Sequence, residues 1–247
     1  MNLRKLLLTK NDCYKAGKII KVKGIMVHST GVNNTNLRRY VGPDDGLLGV
    51  NTNGNHWNQA KPDGRQVCVH GFIGKLADGS IATYQTLPWD MRAWHCGSGP
   101  KGSSNDTHIS FEVCEDTTDT QYLAKVFKEA AELTAYLCKE FKLDPLADGV
   151  IISHAEGYKR GTAGNHGDPD HWWGRYGSTY SMATFRKEVK AIMEKETNTQ
   201  VVPDWAKEAQ DFVIKQGISD GTRPNDGITR AEQWAMVMRL ANKLGLK

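Results

Sequence analysis

The chain has 247 residues, room for one medium domain and one small one. Hydrophobic residues make up 39% and charged residues 24%, the balance of a soluble globular protein. The net charge of +4 is scattered along the chain with no clustered basic face, which argues against a nucleic-acid partner and leaves an acidic one open.

Leu6, Leu7 and Leu8 form the first apolar run, and Lys10, Asn11 and Asp12 close it at once. That is too short for an export signal or a membrane span, so neither is expected. The cysteines Cys13, Cys68, Cys96, Cys114 and Cys138 are odd in number, and no two have C-x-x-C spacing. A disulfide framework and a cysteine zinc finger are therefore disfavoured, and synthesis in a reducing cytosol is expected.

Gly24 to Ser29 reads as a buried strand with His28 at its end. Val67 to Gly74 and Ser80 to Gln85 flank the turn pair Asp78-Gly79 and predict a hairpin. Ile109 to Cys114 alternates as a strand does and carries Glu112. Asp119 to Phe141 is the clearest helix, with Leu123, Val126, Phe127, Ala130, Thr134, Leu137, Cys138 and Phe141 on one face. Val150 to Ile152 is another buried strand, and His154 lies just past its end. A helix is expected from Met182 to Met193. Interleaved strands and helices predict an α/β fold, a central mixed sheet flanked by helices.

Polar residues 194–202 predict a linker between a catalytic domain, 1–193, and a small all-α module, 203–247. In that module one helix is expected from Trp205 to the stop at Gly217. A loop follows over Gly217 to Gly227. Thr229 and Glu232 form a capping box opening a second helix, whose apolar face is Trp234, Met238 and Ala241.

Of the eight histidines, His28 and His154 stand out because each follows an apolar strand, and ligands of α/β sheets gather at strand ends. The dense stretch Asn165 to His171 offers a third candidate. A hydrolytic zinc site takes three protein ligands, often histidines with one carboxylate, and keeps one position for water. His28, His154 and Asp168 supply such a set, with His171 as the competitor for the third place. The metal lowers the pKa of its water and polarises a carbonyl, and a carboxylate must take the proton. Glu112 is the candidate, although alternation alone would equally place it on a solvated face. H-E-x-x-H, the mark of a common metallopeptidase class, is absent. His56 and His108 are expected to be surface or structural residues.

The segments MVHST, RAWHCGSG, THISFEVCED, IISHAEG and NHGDPDHWW occur in that order. Together they resemble the type 2 N-acetylmuramoyl-L-alanine amidases, the zinc family shared by phage endolysins, autolysins and peptidoglycan recognition proteins. The resemblance spans about residues 20 to 190 and implies the fold of that family. It implies one Zn2+ per chain on His28, His154 and Asp168, with Glu112 as the catalytic carboxylate. Trp94, His95 and His70 are expected beside the substrate. Many members carry a lysine two residues before the third ligand to stabilise the oxyanion; here that place holds His166. A histidine can donate the same hydrogen bond, at the cost of pH-sensitive activity.

Trp205 to Leu240 resembles one S-layer homology motif, above all in Ile228-Thr229-Arg230-Ala231-Glu232. That implies a cell-wall polymer as partner, and so short a module points to self-association or docking on the catalytic domain. The expectation is thus a peptidoglycan amidase, a phage or prophage endolysin made in the bacterial cytoplasm and acting on the wall after release. An autolysin of the same activity and a non-catalytic peptidoglycan-binding protein are the alternatives.

Overall fold

The computed structural model describes residues 1–200, 202, 204–221 and 227–245, with the side chains of 196–200 excepted. The chain divides into two compact units, Met1–Lys190 and Ala191–Lys247.

The first unit is built on a six-stranded mixed sheet. In chain order the strands are β1 (Leu3–Lys5), β2 (Gly24–Asn33), β3 (Gly71–Lys75), β4 (Ile81–Gln85), β5 (His108–Glu115) and β6 (Ile151–Ser153), and across the sheet they run β1-β4-β3-β5-β2-β6. Only β3 and β4 pair antiparallel, as the hairpin expected around Asp78-Gly79; the other pairs are parallel. Gly79 takes φ of 82°, a conformation that glycine adopts without strain. The strand expected from Val67 begins only at Gly71, because Cys68 bridges to Trp94 in an isolated pair.

The helices of this unit are α1 (Asp12–Ala16), α2 (Thr120–Glu140), α3 (His154–Arg160), α4 (Asp170–Trp173) and α5 (Met182–Gln200), the last running on into the second unit. Asp119 caps α2, accepting from the backbone N–H groups of Gln121 and Tyr122 at 2.9 Å. Leu123, Val126, Ala130 and Leu137 are fully buried along its inner face, and each large aliphatic among them contributes about 1.5–3 kcal/mol on removal from water. Glu129 ties the helix to the sheet, accepting from Thr83 Oγ1 and the Asn2 backbone N–H, both at 2.8 Å.

The register of the central strands places the site. His28 on β2 pairs with Glu112 on β5, so both side chains leave the same face of the sheet. Val27 pairs with Ser153 at the end of β6, which puts the next residue, His154, level with His28. Ser153 then caps α3 through a capping box with Glu156. Gly157 lets α3 lie close on β2: a Cβ there would come within 2.6 Å of Met26 Cε. Downstream, Trp172 and Trp173 of α4 are buried, and Trp172 Nε1 donates to the Asp116 carbonyl at 2.9 Å. This anchor fixes the segment that carries Asp168.

Helix α5 does not stop at Met193. It continues to Gln200, through much of the stretch read as a linker. Glu194, Lys195 and Glu196 favour helix, and no glycine or proline interrupts the stretch before 203, so the helix carries on through the weaker formers Thr197 to Thr199.

The second unit holds α6 (Lys207–Lys215) and α7 (Arg230–Lys243). Gly217 takes φ of 63° just after α6, and the Thr229–Glu232 capping box opens α7. Residues 222–226 of the loop expected between them lie outside the described residues. Arg239 donates to the Ile218 carbonyl at 2.8 Å, joining α7 to the turn after α6. Among the described residues no helix is long and apolar enough to cross a membrane.

Candidate metal centre and substrate pocket

His28, His154 and Asp168 arrive from β2, the first turn of α3 and the segment before α4, and their polar atoms converge. His28 Nδ1 lies 2.9 Å from Asp168 Oδ2 and 3.1 Å from His154 Nδ1, and His154 Nδ1 lies 3.3 Å from Asp168 Oδ1. Among the described residues this is the one group of three or more such side chains that could hold a metal ion. Burial holds His28 below the ordinary imidazole range against the pull of Asp168. Burial also works to raise Asp168, but hydrogen bonds from His154 and His28 outweigh it and keep that carboxyl well below the usual carboxylate range.

Neutral imidazole beside an ionised carboxylate is the donor set of a catalytic zinc ion. With metal–ligand bonds of about 2.0–2.1 Å, a tetrahedral site separates its donors by roughly 3.4 Å. The three separations here approach that value, so the residues fit the ion.

Glu112 stands beside this group and lines the same pocket, of about 520 Å³. Its Oε2 is buried with no hydrogen-bond partner. Burial raises its pKa well above the ordinary glutamate value, and the charges of Asp168 and Glu115 add to the rise. The solvated face allowed by strand alternation is therefore not where Glu112 lies. Its strand is central, and Ile109, Ser110, Phe111, Val113 and Cys114 are all fully buried.

His166 is exposed in the pocket and stacks on His154, with ring centroids 4.7 Å apart at 28°. Trp94, 38% exposed, forms part of the wall, with Arg92 over its ring. His95 also lines the pocket, but its Nδ1 lies 2.9 Å from His28 Nε2. Burial, reinforced by the neighbouring histidines, pushes its pKa well below the ordinary value.

His70, expected beside the substrate, is not brought to the pocket. It is fully buried, donating through Nε2 to the Met91 carbonyl and accepting at Nδ1 from the Ser110 backbone N–H. His171, the competitor for the third ligand place, turns instead to Glu115, with Nε2 3.2 Å from Oε1. Sequence reasoning missed Glu115. Its buried carboxylate also accepts from Ser29 Oγ at 2.6 Å and from the Gly31 backbone N–H at 2.9 Å, bracing the end of β2 that forms the pocket rim. The available signal was a second acidic residue three places after Glu112 on the same strand.

A sheet with this register, bringing two histidines from its strand ends together with a loop carboxylate beside a half-buried glutamate, defines a hydrolase-like α/β domain. Residues 19–171 match the N-acetylmuramoyl-L-alanine amidase (Amidase_2) family, and the chain belongs to it. By that membership it is an amidase with peptidoglycan as its substrate. The fold is similar to that of the Staphylococcus aureus hydrolase AmiA, solved in complex with its ligand: TM-score 0.54, 17% identity, covering 80% of this chain and 84% of that one. It is equally similar to the PlyG catalytic domain, with TM-score 0.54 and 17% identity over 78% of this chain and 96% of that one. No curated protein matches the chain.

Proposed function

We propose that the chain hydrolyses the amide bond between N-acetylmuramic acid and L-alanine, as a zinc enzyme with Glu112 as general base. The observation that carries this reading is the close approach of His28, His154 and Asp168 beside a buried carboxylate oxygen that has no other partner. Zinc, when bound to those three residues, supplies a Lewis acid and lowers the pKa of water.

The chain's own residues divide the remaining work. Glu112 accepts the proton of the attacking water at Oε2 and returns it to the leaving nitrogen of alanine. Burial raises its pKa above the ordinary glutamate value, which makes it a stronger base for the water's proton. His166, exposed in the pocket, donates a hydrogen bond to the carbonyl oxygen as charge develops on it. Trp94 offers a flat apolar face to the sugar.

The second unit, on this reading, binds a cell-wall polymer and allows the chains to self-associate. The whole is a phage or prophage endolysin that acts on the wall after release from the cytoplasm where it is made. The order of the five sequence segments MVHST to NHGDPDHWW supports that origin.

Mass analysis of digested peptidoglycan tests the activity. The expected products are intact stem peptides with a free N-terminal alanine and glycan strands left uncut. Metal analysis should find about one zinc per chain, and Glu112→Gln should lower turnover by about 10²–10⁴-fold with zinc retained. Cleavage within the glycan or the peptide, or a Glu112→Gln variant of full activity, would overturn the reading.

A further inference from the structure

His95 sits on the segment between β4 and β5, and that segment is unusually well held. Asn105, fully buried, accepts the backbone N–H of His95 at 2.8 Å and that of Cys96 at 3.2 Å. Its own Nδ2 donates to the Gly97 carbonyl at 2.8 Å. The Trp94 carbonyl accepts from Cys68 N–H at 3.0 Å, and the Cys96 carbonyl from Gly164 N–H at 2.7 Å. The clamp presents the imidazole edge-on to His28, with ring centroids 5.0 Å apart at 80°.

His28 uses both ring nitrogens. Nδ1 faces Asp168 and His154, while Nε2 faces His95 Nδ1 at 2.9 Å. A neutral imidazole carries one proton, so a nitrogen that gives its lone pair to a metal leaves the proton on the other. In most histidine metal sites that proton goes to a carboxylate, a backbone carbonyl or water. Here the acceptor within reach is a second imidazole on a fixed backbone.

We propose that His95 is a positioning residue for the metal ligand His28: its Nδ1 accepts the His28 Nε2–H and commits His28 Nδ1 to the ion. The inference rests on the zinc reading above and assigns His95 a role other than contact with substrate. Because the ring is oriented through its Nδ1, an amide oxygen one carbon from Cβ can replace it, while one placed a carbon further out cannot.

Zinc affinity of the full chain, measured by competition with a chelating indicator, tests this. His95→Ala should bind zinc at least about tenfold more weakly than the wild type. His95→Asn should recover most of that affinity, and His95→Gln should not. The Asn/Gln contrast keeps the test decisive even if the alanine variant folds poorly.

Equal zinc affinity for wild type, His95→Ala and His95→Gln would overturn this inference and leave the zinc reading standing. Wild-type protein that binds zinc no better than His28→Ala would remove the zinc reading, and the role of His95 would fall with it.

Discussion

His70 has both ring nitrogens committed in one tautomer, Nε2–H to the Met91 carbonyl at 2.6 Å and Nδ1 to the Ser110 N–H at 2.9 Å. Burial pushes its pKa down from 6.5 to about 4. The unfolded chain therefore takes up a proton between those values that the folded chain refuses. The stability tied to His70 is complete above pH 6.5 and is lost as the pH falls towards 4, a change of about 3 kcal/mol. His108 is lowered by burial in the same direction and steepens the slope. Thermal melts from about pH 7.5 down to about pH 4, the window those shifts define, should show a steep decline in the wild type and a flatter one in His70→Gln. Parallel curves would show that His70 contributes none of the slope. The same residue marks a limit of sequence reading. A histidine at a strand's start can face a groove or a sealed interior, and the choice here depends on Ser110 and Met91, which lie far away in the chain. His28 and His154 were legible because each ends an apolar run, and the parallel register carries both to one edge.

Helix α2 shows where local pattern is enough. Its apolar face and its cap were readable, since both are set by neighbours within a turn or two of helix and need no distant partner. Asp119→Ala should remove two backbone hydrogen bonds at 2.9 Å and cost about 1 kcal/mol, read as a lowered melting temperature with unchanged amidase turnover. A loss of turnover equal to the loss of stability would mean that the cap also reports to the site. Strand β5 shows the opposite case. Its alternation left a wet face open for Glu112, but β5 is a central strand between β3 and β2, and Glu112 lines the pocket while Glu115 lies in a buried bracket with Ser29 and His171. For α5, composition misled: a polar stretch without an apolar stripe read as a linker, yet its residues carry enough helix propensity to extend the preceding helix to Gln200.

At the scale of the whole molecule, the two units differ in how they use apolar side chains. The first buries most of its large ones in the core around its sheet. The second leaves Trp205 86% and Trp234 67% exposed, with Phe212, Val237 and Met238 also largely open. Two short helices enclose too little volume to hide such residues, and an exposed set of this kind serves as a binding face more often than it is left wet. Exposed tryptophans suit carbohydrate, since the indole stacks on sugar rings while its N–H meets polar groups. A Glu112→Gln chain, which should leave walls undigested, allows binding to be read by sedimentation with purified Gram-positive walls. Binding should fall when the secondary polymers are stripped from the walls. Trp234→Ala in the same background should bind intact walls only as well as stripped ones, with little cost to folding because the side chain is so open. Equal sedimentation with intact and stripped walls would instead place all wall recognition in the pocket beside His28, and the second unit's open face would then have to serve contacts between chains.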